Sequence, residues 1–188
     1  MNVPNMLTLS RFFLTCLFVI LAQTPGWKGA GLLLFVFAIA SLTDWADGFM
    51  ARKYNLSTTF GQIMDPIADK FLTLAAFFIF AFEGTIALWM VVLVAAREMV
   101  VTASRIHAMT RGQVIPAEKS GKIKTVFQMT TIIVILLYRV LATAPLTKAM
   151  VTNYEIHWQI FVNLLMIIVV ALTVVSGIGY FNAFKDER

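Results

Sequence analysis

The stretch between the second and third hydrophobic runs is unusually rich in carboxylates for so apolar a chain, which suggests that they have a function. It reads DWADGFMARKYNLSTTFGQIMDPIAD, and its four aspartates are Asp44, Asp47, Asp65 and Asp69. Converging carboxylates repel one another and are costly to remove from water. Divalent cations offset that cost, and ligand sets made of oxygen alone favour Mg²⁺ or Mn²⁺. We therefore predict a divalent-metal site built from these four side chains.

Helical spacing would let each pair of aspartates point in one direction. The first pair has i, i+3 spacing and shares a helix face with Gly48 and Ala51. The second pair has i, i+4 spacing and shares a face if the third helix has begun by then. We predict that the first pair closes the second helix and the second pair opens the third. The polar loop KYNLSTTF would then let the two helices pack as antiparallel neighbours, so that all four carboxylates converge.

Metals beside a lipid surface suit phosphoryl transfer from a pyrophosphate, because they neutralise charge on the leaving group. Gly48 and Ala51 leave room for a ligand on the carboxylate face, and Arg52 can hold a phosphate with two parallel hydrogen bonds. One isolated Asp-x-x-Asp pair would be explained more simply as a helix cap or a solvated charge. Two pairs with Gly, Ala and Arg between them favour a site.

The composition indicates the environment of this site. The 188 residues are 60% hydrophobic and only 13% charged, whereas about a quarter of the residues in a soluble domain are charged. A membrane protein with several spans is therefore the leading class. The net charge of +5 does not indicate nucleic-acid binding, because basic and aromatic residues are not interleaved. The single cysteine, Cys16, excludes an intramolecular disulfide.

Six hydrophobic segments predict an all-α integral membrane protein with six transmembrane helices in a single domain spanning residues 1–188. A helix needs about 20 residues to cross the bilayer core. The segments are Leu7–Ala22, Gly29–Phe49, Ile67–Phe82, Ile86–Ile106, Val126–Leu141 and Trp158–Tyr180. Helix-breaking residues predict the connections at Pro25-Gly26, Gly61 to Pro66, Gly84, Gly112 to Pro116 and Pro145.

Basic residues predict the orientation, because cytoplasmic loops carry an excess of Lys and Arg. With a cytoplasmic N-terminus, one side receives Arg11, Arg52, Lys53, Arg105, Arg111, Lys119, Lys122, Lys124, Lys185 and Arg188. The other side receives only Lys28, Arg139 and Lys148. Both termini are therefore predicted to be cytoplasmic, and the four aspartates to lie near the cytoplasmic face.

The aspartate stretch resembles the signature of the CDP-alcohol phosphotransferases, D-x2-D-G-x2-A-R-x8-G-x3-D-x3-D. The fixed positions are all present, as Asp44, Asp47, Gly48, Ala51, Arg52, Gly61, Asp65 and Asp69. The flanking blocks VPNMLTLSR, AREMVVTASR and GKIKT are most similar to one bacterial branch of that family. The members of that branch, the phosphatidylglycerophosphate synthases, use CDP-diacylglycerol and glycerol 3-phosphate.

The resemblance implies a six-helix fold, usually homodimeric, with a cavity that faces the cytoplasm of a bacterium. It implies that the four aspartates ligate two metal ions and that Asp69 also takes the proton from the attacking hydroxyl. That hydroxyl would attack the β-phosphorus of CDP-diacylglycerol, giving phosphatidylglycerol phosphate and CMP. The implied CDP-diacylglycerol site consists of Asn5, Thr8, Arg11, Asp44, Gly48, Ala51, Arg52 and Thr58.

A phosphorylated acceptor needs a second basic site, for which the candidates are Arg97, Arg105, Lys122 and Lys124. Arg97 lies inside the apolar run VVLVAAREMV, where an arginine is expensive unless it faces a partner or a wet cavity. Its neighbour Glu98 is expected to be a weak partner, since adjacent helix residues face different directions. Headgroup contact and the positive-inside bias explain the two lysines equally well.

Two kinds of alternative remain. Another acceptor could replace glycerol 3-phosphate: inositol phosphate, serine, or phosphatidylglycerol in a reaction that makes cardiolipin. A cation transporter would also contain intramembrane acids, but it would place them near the bilayer midplane, often with broken helices and internal repeats.

Overall fold

The computed structural model describes the backbone of residues 3–54, 59–110 and 119–186, and the side chains of residues 10–43, 67, 70–108, 121–151 and 153–180. Across these ranges all regular structure is helical, which confirms the all-α prediction. The helices are α1 (Val3–Ala22), α2 (Gly26–Tyr54), α3 (Thr59–Phe82), α4 (Leu88–Thr110), α5 (Lys119–Thr143), α6 (Lys148–Thr152) and α7 (Glu155–Asp186). The short α6 was not predicted.

Three helices are long and apolar enough to cross a membrane, judged on the residues whose side chains are described. Their apolar segments are Gly26–Thr43, Gly121–Thr143 and Glu155–Tyr180. Shorter apolar segments lie in α1 (Ser10–Ala22) and α3 (Lys70–Phe82). The apolar character of α4 is interrupted by Arg97, Glu98 and Arg105.

The connections predicted from glycine and proline are confirmed at three places. Pro25 lies between α1 and α2, which begins at Gly26; Gly84 lies between α3 and α4, and Pro145 lies between α5 and α6. Gly26 and Gly84 have φ angles of +82° and +75°, which glycine adopts without the steric penalty of a side chain.

The prediction of a connection at Gly61 to Pro66 is wrong, because α3 begins at Thr59 and continues through these residues. Pro66 removes one backbone hydrogen bond, but the long apolar segment that follows it packs against its neighbours, and tertiary context of this kind overrides local preference. The predicted connection at Gly112 to Pro116 lies outside the described residues.

The helices pack around one hydrophobic core. Helix α1 packs against both α2 and α3, α5 packs against α2 and α7, and α4 packs against α3 and α7. Phe18, Phe37, Phe77, Ile132 and Val162 are completely buried where these helices meet. Among the described residues, α2 and α3 do not pack extensively against each other. The short loop between them had predicted that they would.

The buried residues divide the bundle along its axis into an apolar half and a polar half. Along α4, Val91 and Val94 precede the buried Glu98; along α7, Val162 and Met166 precede the buried Ser176. The chain direction is reversed in α5, where the buried polar residues come first, as Lys124, Gln128 and Thr131. These polar residues therefore gather at one end of the bundle.

The opposite end is held by Arg139 of α5. One guanidinium nitrogen, Nη1, lies 2.6 Å from Oε1 of Glu83, the residue that directly follows α3. The other, Nη2, donates to the Ala22 carbonyl oxygen of α1 at 2.6 Å. Ala22 is the last residue of α1, so Arg139 satisfies a carbonyl that has no partner within its own helix.

Candidate functional site

The four aspartates all lie on helical backbone. Asp44 and Asp47 belong to α2, and Asp65 and Asp69 belong to α3. Since α3 begins at Thr59, the condition for the second pair to share one helix face is met. The predicted donor set of four carboxylates in two pairs is compatible with this backbone, and such a set would fit a hard divalent cation.

The helix ends differ from the prediction. Helix α2 continues past Asp47 to Tyr54, and α3 begins before Asp65 at Thr59, so the aspartates lie within the helices and not at their ends. Four residues of the predicted loop KYNLSTTF are therefore helical: Lys53, Tyr54, Thr59 and Phe60. Neither Lys53 nor Tyr54 breaks a helix, and adding residues to an existing helix is easier than starting one.

Several predicted site residues have side chains outside the described part of the structure, so their convergence stays a prediction. For these residues the structure gives the backbone helix only: Asn5, Thr8, Asp44, Asp47, Gly48, Ala51, Arg52, Asp65 and Asp69. The same holds for Gly61 on α3, whereas Thr58 lies outside the described residues. Among the described side chains there is no group of three or more His, Cys, Asp or Glu that could hold a metal ion.

Arg11 is the one member of the predicted CDP-diacylglycerol site whose side chain is described, and it is partly buried. The next residue, Phe12, meets Phe71 of α3 with 5.1 Å between ring centroids. Phe71 comes two residues after Asp69, so the contact places Arg11 and Asp69 at a similar level in the bundle.

Glu98 lies at the centre of a buried polar cluster that joins three helices. Its Oε1 accepts a hydrogen bond from Lys124 Nζ of α5, and Arg97 Nη1 lies 3.6 Å from the same oxygen. Gln128 Nε2 donates to Oε1 at 3.4 Å. The second oxygen, Oε2, lies 3.9 Å from Lys70 Nζ of α3. We call these five residues, Lys70, Arg97, Glu98, Lys124 and Gln128, the Glu98 cluster.

The centre of the Glu98 cluster is buried, whereas Lys70 and Arg97 at its edge are partly exposed. Glu98 and Lys124 are each 3% exposed, and Gln128 is 2% exposed. Three cationic groups surround one carboxylate in these described contacts, which leaves an excess of positive charge within the cluster. Lys70 directly follows Asp69, so that excess lies beside the part of α3 that carries the second aspartate pair.

Helix α7 also contacts Arg97. Arg97 Nη2 donates to Ser176 Oγ at 2.8 Å, and Ser176 in turn donates to the Thr173 carbonyl oxygen. A β-carbon at the adjacent Gly177 would lie 3.4 Å from Arg97 Cγ, so the glycine lets the arginine stem lie against the helix. The guanidinium of Arg97 is thus held between α4 and α7.

The remaining candidates for the acceptor site lie at different depths. The Arg105 guanidinium lies over the ring of Tyr180 on α7, 6.0 Å from its centroid. Lys124 is buried within the Glu98 cluster, whereas Lys122 is exposed on α5. The structure therefore brings Arg97 and Lys124 together and leaves Lys122 on the outside.

Sequence reasoning missed the contribution of α7 and underestimated Glu98. The segment SGIGY of α7 places a serine and two glycines in an otherwise aliphatic run, and that interruption was the available signal. For Glu98 the available signal was its position inside a hydrophobic segment. Burying an acid there costs as much free energy as burying the neighbouring arginine, so Glu98 also needs a partner.

Comparisons with known proteins agree over almost the whole chain. The family model described as CDP-alcohol phosphatidyltransferase matches residues 1–175. The chain is 36% identical to the CDP-diacylglycerol–glycerol-3-phosphate 3-phosphatidyltransferase of Bacillus subtilis (strain 168), over 96% of this chain and 94% of that protein. It is 35% identical to a probable phosphatidylglycerophosphate synthase of Mycobacterium tuberculosis (strain ATCC 25618 / H37Rv), over 98% and 83% of the two chains. It is 30% identical to a CDP-diacylglycerol–glycerol-3-phosphate 3-phosphatidyltransferase of Rickettsia typhi (strain ATCC VR-144 / Wilmington), over 98% and 97%.

Proposed function

The chain belongs to the CDP-alcohol phosphatidyltransferase family, and from this premise we propose that it transfers a phosphatidyl group from CDP-diacylglycerol to sn-glycerol 3-phosphate. The products are phosphatidylglycerol phosphate and CMP, and the reaction belongs to phospholipid biosynthesis. Relatives named for this activity align over nearly the full length of the chain. The buried basic cluster beside the aspartate-bearing part of α3 supports an acceptor that carries a phosphate.

The metal site consists of Asp44, Asp47, Asp65 and Asp69 and holds two Mg²⁺ or Mn²⁺ ions. When bound, the ions neutralise negative charge on the pyrophosphate of the donor and on the leaving CMP. The support for this site is its donor set, which contains only carboxylate oxygens, and the helical backbone that gives each pair a common face.

Asp69 is the general base of the reaction. It accepts the proton from the acceptor hydroxyl while the hydroxyl oxygen attacks the β-phosphorus of CDP-diacylglycerol and the bond to CMP breaks. The two histidines, His107 and His157, lie outside the aspartate stretch. A carboxylate can serve as base here because metal ions held by the aspartates would make the hydroxyl proton easier to remove.

The CDP-diacylglycerol site lies where α1, α2 and α3 carry the matched residues. Its members are Asn5, Thr8, Arg11, Asp44, Gly48, Ala51, Arg52 and Thr58. The contact of Phe12 with Phe71 supports the inclusion of α1, because it brings the helix that carries Arg11 beside the helix that carries Asp69.

The acceptor phosphate is received by Arg97, Arg105 and Lys124. Arg97 and Lys124 share one buried carboxylate, and Arg105 comes two turns after Arg97 on α4. An arginine fork and an ammonium can together satisfy several oxygens of one phosphate. The exposed Lys122 is better suited to contacts with lipid headgroups.

In the membrane, six helices cross the bilayer with both termini in the cytoplasm, and the active site faces the cytoplasm of a bacterial cell. The supporting observations are six long helices, the excess of basic residues on one side, and the polar half of the bundle at the same end as the aspartates. A homodimer is part of this proposal, and it is supported by the family resemblance alone.

The proposed reaction is tested with purified protein, CDP-diacylglycerol, Mg²⁺ and one candidate alcohol at a time. The expected result is release of CMP and formation of phosphatidylglycerol phosphate with glycerol 3-phosphate, and no activity once a chelator has removed the metal. Preference for serine, inositol phosphate or phosphatidylglycerol would contradict the acceptor assignment. Full turnover in chelator would contradict the metal assignment, and absence of CMP release with every alcohol would contradict the enzyme itself.

A further inference from the structure

The carboxylate of Glu98 has an unusual number of basic neighbours for a single acid inside a hydrophobic helix. Its two oxygens lie within 3.9 Å of cationic groups from three different helices: Lys70 of α3, Arg97 of α4 and Lys124 of α5. Gln128 of α5 adds a hydrogen bond from a neutral group. Glu98 therefore fixes the distance between side chains that the sequence separates by as many as 54 positions, from Lys70 to Lys124.

Burial makes these contacts hard to replace. Lys124 is 3% exposed, so its ammonium group depends on the carboxylate of Glu98 for compensation of its charge. A buried ammonium that loses its carboxylate is costly and moves toward water when the structure allows it. The Arg97 guanidinium would then face the neighbouring cations with no charge between them, and the mutual repulsion would drive the basic groups apart.

We propose that Glu98 is a positioning residue, whose carboxylate holds Lys124 and Arg97 in the arrangement in which both can contact the phosphate of the acceptor. This inference rests on the proposed function, because it assigns a role to Glu98 in the acceptor site of that reaction. Glu98 itself does not contact the reacting atoms. It acts through the two cations, which bind the phosphate with the charge left over after Glu98 has been neutralised.

Removal of the Glu98 charge has two opposing effects on the affinity of the site for phosphate. Removal of a negative charge, taken alone, would strengthen the attraction of the site for a phosphate. Loss of the shared carboxylate would release Lys124 and Arg97 and weaken phosphate binding. We expect the weakening to be larger than the strengthening, because Lys124 and Arg97 can both contact one phosphate only while they are held together.

The test compares Glu98→Gln with the wild type and with Glu83→Gln in the CMP-release assay. Glu83 is a matched control, because it also pairs with an arginine, Arg139, but at the opposite end of the bundle. For Glu98→Gln we expect the KM for glycerol 3-phosphate to rise by about 10- to 100-fold, as for groups that orient metal-binding side chains. The KM for CDP-diacylglycerol should stay within about twofold. Glu83→Gln should leave both values unchanged.

Glu98→Asp keeps the charge but shortens the side chain by one methylene. We expect its KM for glycerol 3-phosphate to lie between the values for Glu98→Gln and Glu83→Gln. If Glu98→Gln does not yield folded protein, the comparison of Glu98→Asp with Glu83→Gln decides the question. An unchanged or lowered KM for glycerol 3-phosphate would overturn the proposal, as would an equal rise for both substrates. A wild-type protein that releases no CMP with glycerol 3-phosphate would overturn the proposed function and this inference with it.

Discussion

At the scale of single residues, Asp65 and Asp69 have different proposed roles although they lie one turn apart on α3. In the proposed site both are metal ligands, but only Asp69 is also proposed as the base. We expect Asp69→Asn to lower kcat by about 10²- to 10⁴-fold, the usual contribution of a general base. Added Mg²⁺ should not restore this rate, whereas it should partly restore that of Asp65→Asn.

The measurement is CMP release over a range of Mg²⁺ concentrations, with CDP-diacylglycerol binding recorded for each variant. Retained binding would show that Asp69→Asn still folds. If Mg²⁺ rescued both variants to the same degree, Asp69 would be a ligand and not the base.

The residues that carry chemistry could be predicted to different extents from the sequence. The family and the aspartate site could both be predicted because their signature lies within one continuous stretch. The match over residues 1–175 confirms the family, and the aspartate site stays a prediction. The importance of Glu98 could not be predicted, because its partners Lys124 and Gln128 are 26 and 30 positions away on another helix. Such contacts depend on how the helices are rotated against each other, and the sequence of one helix does not determine that.

At the scale of helices, α7 supports Arg97 through a small residue. Gly177 lies against the stem of Arg97, so a large side chain at this position would displace the arginine. We expect Gly177→Leu to raise the KM for glycerol 3-phosphate by about tenfold, equivalent to 1.4 kcal/mol of lost binding. Gly177→Ala should be tolerated, because its β-carbon would meet Arg97 Cγ at 3.4 Å, an ordinary contact distance.

The matched control is Gly31→Leu in α2. No heavy atom lies within 4 Å of the position that a β-carbon at Gly31 would occupy. The two glycine variants add the same side chain to a helix, so their difference isolates the effect on Arg97. Equal KM values for glycerol 3-phosphate in Gly177→Leu and Gly31→Leu would contradict the role of α7.

Connections were predicted correctly at both glycines with positive φ and at Pro145, which lies between α5 and α6. Gly26 and Gly84 mark real connections. Pro66 suggested a connection but lies inside α3, since packing of the apolar segment after it stabilises a continuous helix. The contact pattern of the helices was also not predictable, because α1 packs against both α2 and α3 and the chain order does not reveal this.

At the scale of the whole molecule, Arg139 joins α1, α3 and α5 at the end opposite to the Glu98 cluster. We expect Arg139→Met to lower stability by about 1.5 kcal/mol, the contribution of a hydrogen bond to a charged group. For a chain of this size that corresponds to a decrease in Tm of about 3–6 °C. Thermal unfolding of the detergent-solubilised protein measures the change.

The KM values of Arg139→Met should remain at wild-type levels, because Arg139 lies at the end of the bundle opposite to the proposed acceptor site. A variant with unchanged Tm would show that Arg139 does not stabilise the bundle. A variant with altered KM for glycerol 3-phosphate would show that the two ends are coupled.

The proposed orientation is tested with single cysteines in a Cys16→Ser background, since Cys16 is a free exposed thiol. Leu146 is 93% exposed in the connection after α5, and Lys122 is exposed at the other end of that helix. A membrane-impermeant maleimide should label Leu146→Cys in intact cells and Lys122→Cys only after lysis. The reverse pattern would place the termini outside the cell.

The three charged residues of α4 also have a consequence for how the chain enters the membrane during synthesis. A charged side chain at the centre of a helix costs about 2.5–3.5 kcal/mol of insertion free energy, and α4 carries Arg97, Glu98 and Arg105. Lys124, the buried partner of Glu98, is on the next long helix to leave the ribosome. Under the proposed topology we expect α4 to wait at the translocon until α5 arrives, so that the two helices partition into lipid together with their opposite charges already paired.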